Sequence, residues 1–299
     1  MSRRGDSSRA KAAARGLRTV RTVGAVREAV SEWRAAGESA AFVPTMGNLH
    51  AGHLSLAQLV AEPRARVVMS IFVNPTQFGA GEDFAAYPRT LAEDTALVAA
   101  AGTVDLLFVP DAAEIYPFGL NEAARVSLPG LGRELDGASR PGHFDGVASV
   151  VARLLNIVMP DVLVLGQKDY QQFILMQRMI TDLRMPVLLR MGPTQREPDG
   201  LAMSSRNRYL DTDQRRKAPA LQTALARVRD AVRAGETNFA ELGVAARKDL
   251  ERAGFKPDYV EVRRAADLAA PNAGDKAEAG VVIGAAWLGR ARLIDNLIV

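Results

Sequence analysis

A chain of 299 residues with 48% hydrophobic residues is long enough to build one large core or two ordinary ones. The absence of cysteine excludes disulfides, thiolate nucleophiles and cysteine-ligated zinc, and it fits a reducing, cytoplasmic location. No apolar run approaches the roughly 20 residues that span a bilayer, so we expect neither a membrane anchor nor a secretion signal.

The net charge of +4 is unevenly distributed. Residues 1–21 hold seven of the 38 basic and one of the 34 acidic residues, so they carry +6 and the rest of the chain carries −2. This composition, rich in Ser, Gly and Ala, predicts a basic disordered arm, although a transit peptide has a similar composition. The slightly acidic remainder argues against a nucleic-acid-binding protein.

Strands and helices alternate through the first two thirds of the chain. Hydrophobic spacing predicts helices over 22–35, 90–101, 147–158 and 170–183, and strands over 40–43, 67–73, 106–109, 162–165 and 187–191. Short apolar strands separated by helices predict an α/β fold, a Rossmann-like doubly wound parallel sheet. Ligands of such sheets bind at the carboxyl ends of the strands.

The pattern changes after residue 193. One long charged helix is predicted from 211 to 234 and a second from 238 to 253, followed by strands over 259–262, 281–287 and 291–298. The predicted organisation is therefore a Rossmann-like α/β domain over 22–193 and a smaller C-terminal α+β domain over 194–299.

The most informative stretch follows the first predicted strand. Pro44 is expected to stop that strand, and Met46 and Gly47 allow a tight turn before a helical pattern that begins near His53. Such a turn directs backbone N–H groups and the positive end of a helix at one point, where a phosphate can bind. Because His50 and His53 are three residues apart, both rings should face the same point.

Two other interpretations of the histidine pair remain open. A His-x-x-His pair can bind a metal, but the chain has no cysteine and no His-Glu-x-x-His sequence. The two side chains could also be ordinary surface or core histidines.

Further polar groups follow other predicted strands, as Gln77 and Lys168 do, or lie on a helix or on the loop after Gly200. Lys168 is a point charge that could stay bound to phosphate oxygens as they move, and Asp169 could accept a hydrogen bond from a ribose hydroxyl or cap a helix. Arg206 could bind phosphate in a bidentate manner, although Lys168 and Arg206 taken alone could be solvated surface side chains. Gln77 and Gln172 carry amides that can donate to a carboxylate and accept from a hydroxyl, which suits a small hydroxy acid, although Gln172 taken alone could be a surface residue of a helix.

Six stretches in order carry a resemblance to a known family: PTMGNLHAGH (44–53), SIFVNPTQF (70–78), YPRT (87–90), SRPGHFDGV (139–147), LGQKDYQQ (165–172) and GLAMSSRNRYL (200–210). In this order and spacing they are similar to the pantothenate synthetase family, the ligases that join pantoate to beta-alanine. Asn48 and Gln195 depart from residues usual in the family and bear only on the fit of the nucleotide.

The resemblance implies that the pantoate carboxylate attacks the α-phosphorus of MgATP, releasing pyrophosphate, and that the beta-alanine amine then displaces AMP. It implies catalytic roles for His50, His53, Lys168, Ser204, Ser205 and Arg206. It implies ATP binding by those residues together with Pro44, Thr45, Met46, Gly47, Gly166, Gln167, Asp169, Gln195 and Met203. It places pantoate and beta-alanine near Asn74, Gln77, Tyr87, Arg140 and Gln172.

The resemblance also bears on partners. It implies that Mg²⁺ is carried by the ATP phosphates, that the C-terminal domain is a mobile lid, and that the protein is a homodimer through its larger domain. No nucleic acid or membrane partner is expected. The alternatives that remain are a nucleotidyltransferase that stops after nucleotide transfer and a non-catalytic relative that binds a nucleotide.

Overall fold

A computed structural model describes residues 16–79, 82, 84–271 and 279–299. The chain divides into two compact units. Among the described residues, the first unit contains those up to Gly132 together with Arg140–Leu165 and Leu175–Gly192, and the second contains Arg133–Ser139, Gly166–Ile174 and those from Pro193 onward. The division falls near residue 193, as in the predicted domains, but two earlier segments group with the C-terminal part.

The first unit is built on a six-stranded sheet with the order β1-β4-β3-β2-β5-β6. The strands are β1 (Arg18–Val20), β2 (Ser39–Thr45), β3 (Ala65–Ile71), β4 (Leu106–Phe108), β5 (Val162–Gly166) and β6 (Leu188–Gly192). The β1–β4, β3–β4, β2–β3 and β2–β5 pairs are parallel. The predicted α/β fold is confirmed. The strand order reverses between β2 and β5, and sheets of this kind bind ligands at such a switch point.

Ten α-helices lie in the described part of the chain: α1 (Val23–Ala35), α2 (Ala51–Gln58), α3 (Leu91–Ala101), α4 (Ala112–Ile115), α5 (Asp136–Ser139), α6 (His143–Val158), α7 (Tyr170–Asp182), α8 (Thr212–Lys217), α9 (Ala220–Arg233) and α10 (Phe239–Arg252). None of these helices has the length and apolar character that crossing a membrane requires.

Strand β2 is longer than the sequence predicts. Its residues 40–43 are almost completely buried, as expected for a central strand covered on both faces. The expectation that Pro44 stops the strand is wrong, because β2 pairs with β3 through Thr45. The pairs between β2 and β5 end at Phe42, so a residue without an N–H group is tolerated at position 44 on that side.

The predicted disordered arm overlaps the first strand. Residues 18–20 pair with 106–108, and the Arg18 N–H donates to the Asp105 carbonyl at 3.0 Å. The arm prediction is wrong for this strand, which sequence patterns miss because only Val20 of its three residues is buried. Residues 1–15 of the arm lie outside the described residues.

The second unit contains α8, α9 and α10 with an antiparallel sheet of β7 (Lys256–Arg264), β8 (Gly280–Leu288) and β9 (Ala291–Ile298). Leu225, Leu250 and Val282 lie in its core. The α+β prediction is confirmed. The single helix predicted over 211–234 is wrong, because Pro219 separates α8 from α9 and proline is unfavourable inside a helix.

A partly buried charged network holds α5 within the second unit. Arg292 donates to Asp136 and to Asp258, both at 2.7 Å, and the Tyr259 hydroxyl donates to Asp136 at 2.9 Å. Burial raises the pKa of Tyr259 well above its usual value, and the nearby Asp136 carboxylate raises it further. These contacts explain why a segment that precedes α6 in the sequence groups with the C-terminal part.

Candidate active site

The turn after β2 requires unusual backbone conformations. Gly47 has φ of 82°, and a Cβ there would lie 3.1 Å from both Asp94 Oδ2 and Ile71 Cγ2, so only glycine fits without strain. Asn48 follows with φ of 51°, a region that asparagine tolerates better than most residues. Asparagine at position 48 therefore suits the local backbone.

The two histidines of the turn lie together, as their spacing predicts. Their ring centroids are 4.1 Å apart. His50 is the N-cap of α2 and accepts the Gly52 N–H at Nδ1 (3.2 Å), while its own N–H donates to Nδ1 of His53 (3.3 Å). Since each Nδ1 is an acceptor, the proton of each neutral ring lies on Nε2, which makes both side chains N–H donors.

Three backbone N–H groups of the turn have partners inside the protein. Asn48 and Leu49 donate to the two carboxylate oxygens of Asp94, at 2.9 and 2.7 Å, and Gly47 donates to the Thr45 hydroxyl at 3.3 Å. The expectation that these N–H groups are directed at a phosphate is therefore wrong. The sequence offers no local signal for this result, because Asp94 is more than 40 residues further along the chain.

A buried amide cluster follows β3 in the same unit. Asn74 donates to the side-chain oxygen of Gln77 at 3.1 Å, and the Tyr116 hydroxyl donates to Asn74 at 2.7 Å. Burial raises the pKa of Tyr116, which keeps this hydroxyl protonated. The Gln77 amide nitrogen lies 3.2 Å from the sulfur of Met46, so the predicted pantoate side and the turn after β2 meet here.

Arg140 and His143 connect α6 to this cluster. His143 Nδ1 donates to the Gln77 carbonyl at 2.8 Å, and His143 Nε2 lies 2.9 Å from the Arg140 guanidinium. Arg140 also donates to both carboxylate oxygens of Glu82, at 2.8 and 2.6 Å. Burial opposes ionisation of Glu82, but the hydrogen bond and charge of Arg140 dominate and lower its pKa. Sequence reasoning assigned no role to His143 or Glu82.

Helix α6 approaches the turn Pro75–Gln77 at a glycine. A Cβ on Gly146 would lie 2.2 Å from the Thr76 carbonyl oxygen and 2.8 Å from the Gln77 Cα. Asn74 also donates to the Gly146 carbonyl at 3.3 Å. The position of the amide cluster therefore depends on a glycine that sequence reasoning did not single out.

Tyr87 lies in the first unit as a packed side chain. It is 5% exposed, and its ring meets Phe78 edge-on with the centroids 5.8 Å apart. Phe78 is the residue that ends the turn carrying Gln77. Tyr87 is therefore part of the wall behind the amide cluster.

The loop after β5 belongs to the second unit and is held by β9. The buried side chain of Asn296 donates to the carbonyls of Gln167 and Lys168, at 2.8 and 3.0 Å, and accepts from the Gln167 amide at 3.2 Å. The Lys168 ammonium lies 3.8 Å from the Asp169 carboxylate. Asn296 thus fixes the backbone that carries the predicted phosphate-binding lysine.

An ion pair in the same unit fixes the loop that precedes residues 203–206. Arg196 binds Asp295 through two hydrogen bonds, at 2.7 and 2.9 Å, and Asp295 is 2% exposed. Gln195, which the family resemblance assigned to ATP binding, is exposed. Its carbonyl accepts the Met203 N–H at 2.9 Å. Arg196 and Asp295 were missed, because a buried charge pair between distant segments leaves no local pattern.

Ser204 caps the short turn Ser205–Tyr209 by accepting the Arg206 N–H at 3.2 Å. Ser204, Ser205 and Arg206 are all half-buried. A small pocket within the second unit is lined by side chains that include Lys168, Ser204, Asn207 and Asp295. The structure thus brings together two of the stretches that the sequence singled out for phosphate binding.

Within the ranges that the structure describes, no three His, Asp or Glu side chains come together as a metal-binding group. His50 and His53 therefore have no third ligand of this kind among the described residues.

Comparison with known proteins gives one consistent family. The family model described as pantoate-beta-alanine ligase matches residues 18–298. A pantothenate synthetase from Thioalkalivibrio sulfidiphilus is 53% identical over 281 residues, which cover 94% of this chain and 97% of that protein.

Two solved structures agree with this result. The crystal structure of pantothenate synthetase from Thermus thermophilus has a TM-score of 0.83 and 45% identity, and the match covers 94% of this chain and 99% of that one. Pantoate-beta-alanine ligase from Francisella tularensis, complexed with beta-gamma ATP and beta-alanine, has a TM-score of 0.77 and 32% identity, with 95% and 98% coverage.

Proposed function

This chain belongs to the pantoate-beta-alanine ligase family, which confirms the resemblance seen in its sequence, and from that premise we propose that it joins pantoate to beta-alanine through a pantoyl adenylate. In the first step a pantoate carboxylate oxygen bonds to the α-phosphorus of ATP. The bond from that phosphorus to the oxygen bridging to the β-phosphate breaks, and pyrophosphate leaves with the electron pair.

In the second step the beta-alanine amine bonds to the acyl carbon of the adenylate. The bond between that carbon and the AMP oxygen breaks, the amine loses a proton, and AMP leaves. The products are pantothenate, AMP and pyrophosphate, and one carboxylate oxygen of pantoate remains on AMP.

The observation that carries this proposal is the pair of imidazole donors after β2. His50 and His53 both accept backbone N–H groups at Nδ1, so their Nε2–H groups are preorganised at the switch point of the sheet. Such donors stabilise negative charge that develops at the α-phosphate in the transition state. The same turn contains Thr45, Met46 and Gly47, which we assign to the ATP-binding surface.

We assign the leaving pyrophosphate to groups of the second unit. Lys168 supplies a point charge, Ser204 and Ser205 supply hydroxyls, and Arg206 can bind two phosphate oxygens at once. Asp169 is assigned to a ribose hydroxyl. Mg²⁺ would be carried by the ATP phosphates, where it would neutralise part of their negative charge.

The amide cluster is assigned to pantoate. Because the Gln77 side-chain oxygen accepts from Asn74, its amide nitrogen is fixed in orientation as a donor. Arg140 and His143 hold the backbone of Gln77 in place, and Tyr87 forms part of the wall. Gln172 is assigned to the same substrate on the strength of the family resemblance.

Replacing Gln77 with Leu should weaken pantoate binding far more than ATP binding. Loss of a buried hydrogen bond to a charged group costs about 1.5 to 3 kcal/mol, and ATP makes no contact with this amide in the proposal. Calorimetric titration of each ligand measures the effect, and Gln172→Leu should behave alike. Gln58→Leu, at an exposed position on α2, is the control. Equal losses for both ligands would contradict the assignment.

A homodimer through the first unit and a cytoplasmic location are further parts of this proposal. The dimer rests on the family resemblance and the location on the absence of cysteine. Sedimentation equilibrium measures the oligomeric state, and a monomer at the assay concentration would refute the proposed dimer.

The decisive experiment follows oxygen-18 from the pantoate carboxylate. With ATP and pantoate alone, the enzyme should release pyrophosphate in single turnover. Addition of beta-alanine should then release AMP that carries one labelled oxygen, seen by phosphorus NMR and mass spectrometry. ADP with inorganic phosphate would refute the adenylate mechanism, and an adenylate that does not react with beta-alanine would favour a nucleotidyltransferase.

A further inference from the structure

A buried carboxylate supports the turn that carries the two histidines. Asp94 lies on α3 and is 3% exposed. Its two oxygens accept the N–H groups of Asn48 and Leu49, at 2.9 and 2.7 Å, and the Thr90 hydroxyl donates to it at 3.1 Å. The carboxylate therefore binds the backbone immediately before His50.

The surroundings of Asp94 have the features of an anion-binding site. The turn contains two consecutive residues with positive φ, it follows a strand at the switch point of the sheet, and it precedes the N-terminus of α2. In other proteins such backbone concavities bind phosphate through N–H groups. Here the anion that accepts the N–H groups of Asn48 and Leu49 is the carboxylate of Asp94. In the proposed function, a phosphate at this turn therefore binds the imidazole N–H donors and not these two backbone N–H groups.

We propose that Asp94 is a positioning residue for adenylation, which directs the Nε2–H groups of His50 and His53 by fixing the backbone of Asn48 and Leu49. Hydrogen bonds from four nearby backbone N–H groups connect the carboxylate to the two rings. Asp94 holds the Leu49 N–H, the next N–H along the chain donates to His53 Nδ1, and the Gly52 N–H donates to His50 Nδ1. A change at the carboxylate therefore reaches both rings through the backbone.

This proposal rests on the proposed function, and it differs from a purely structural role of Asp94. A structural role predicts only that α3 is held less tightly to the turn when the carboxylate is lost. A positioning role also predicts that the ring environments of two histidines change while the third does not. The chain contains only three histidines, so the ring signals can be resolved individually.

The test uses the full chain with isotope-labelled histidine and the variant Asp94→Asn, which keeps the shape but replaces one acceptor oxygen with a donor. We expect the ring signals of His50 and His53 to shift and those of His143 to stay. Single-turnover adenylation should fall on the order of tenfold to a hundredfold, as expected for a small misplacement of catalytic groups. The dissociation constants of ATP and pantoate should change little.

Asp105→Asn is the matched control. Asp105 also accepts a backbone N–H, from Val67 at 2.9 Å, and a guanidinium N–H, from Arg66 at 2.9 Å, but it does so at the amino-terminal ends of β3 and β4. This variant should lower the melting temperature without changing the adenylation rate or the His50 and His53 signals. If Asp94→Asn does not fold, Thr90→Val, which removes only the hydroxyl donor, should give a smaller shift of the same two rings.

Wild-type ring signals and rate in folded Asp94→Asn would overturn the proposal, as would a rate loss no larger than that of Asp105→Asn. Wild-type protein that forms no adenylate would refute the proposed function instead. In that case the histidine signals still test whether Asp94 positions the rings.

Discussion

His53→Ala should slow formation of the pantoyl adenylate on the order of a hundredfold or more. The variant loses an N–H donor directed at the charge of the transition state, and such a loss costs about 3 kcal/mol. It also loses the Nδ1 acceptor of the His50 N–H, a capping contact whose removal costs on the order of 1 kcal/mol of stability. Single-turnover rates and melting curves measure the two effects separately. His50→Ala should behave similarly and also weaken ATP binding.

Two further variants separate capping from catalysis. In His53→Asn the side-chain oxygen can replace Nδ1 as acceptor, but nothing reaches the position of Nε2, so the protein should remain stable and slow. In His53→Gln the amide nitrogen reaches the Nε2 position, so more of the rate should remain. A folded His53→Asn that adenylates at nearly the wild-type rate would refute the assignment of this histidine.

The alternation of strands and helices and the proximity of His50 to His53 could be predicted from sequence because both depend on local periodicity. Apolar runs mark β2, β3 and β5 since parallel central strands are buried on both faces. The histidine spacing places two rings at the start of one short helix. Polar residues after strands were expected to lie at the ligand-binding edge, and Asn74 and Gln77 do lie together.

The partners of these residues could not be predicted, because each one comes from a distant part of the chain. Asp94 binds the turn from another helix, and Asp295 and Asn296 fix the loops of Arg196 and Lys168 from the last strand. A single sequence shows no pattern for such pairs. The consequence is chemical as well as structural, because three backbone N–H groups that were predicted to face a phosphate are occupied, whereas the two imidazoles of the same turn are N–H donors.

Gly146→Ala should both destabilise the protein and weaken pantoate binding. Helix propensity alone favours alanine by up to about 1 kcal/mol. The new Cβ, however, would lie 2.2 Å from the Thr76 carbonyl oxygen and 2.6 Å from its carbon, and these backbone atoms cannot rotate away. Overpacking of this kind costs about 1 to 3 kcal/mol, so we expect the steric term to exceed the propensity term. Because Thr76 lies between Asn74 and Gln77, its displacement should disturb both pantoate-binding amides.

Gly24→Ala provides the matched control for this prediction. Gly24 is also helical, in α1, and a Cβ there would meet no heavy atom within 4 Å. This variant should gain stability of up to about 1 kcal/mol and keep the pantoate affinity of the wild type. Urea unfolding and pantoate titration measure both variants. If Gly146→Ala gained stability like Gly24→Ala and bound pantoate normally, then α6 would not determine the position of the amide cluster, and the assignment of pantoate to Asn74 and Gln77 would lose its structural basis.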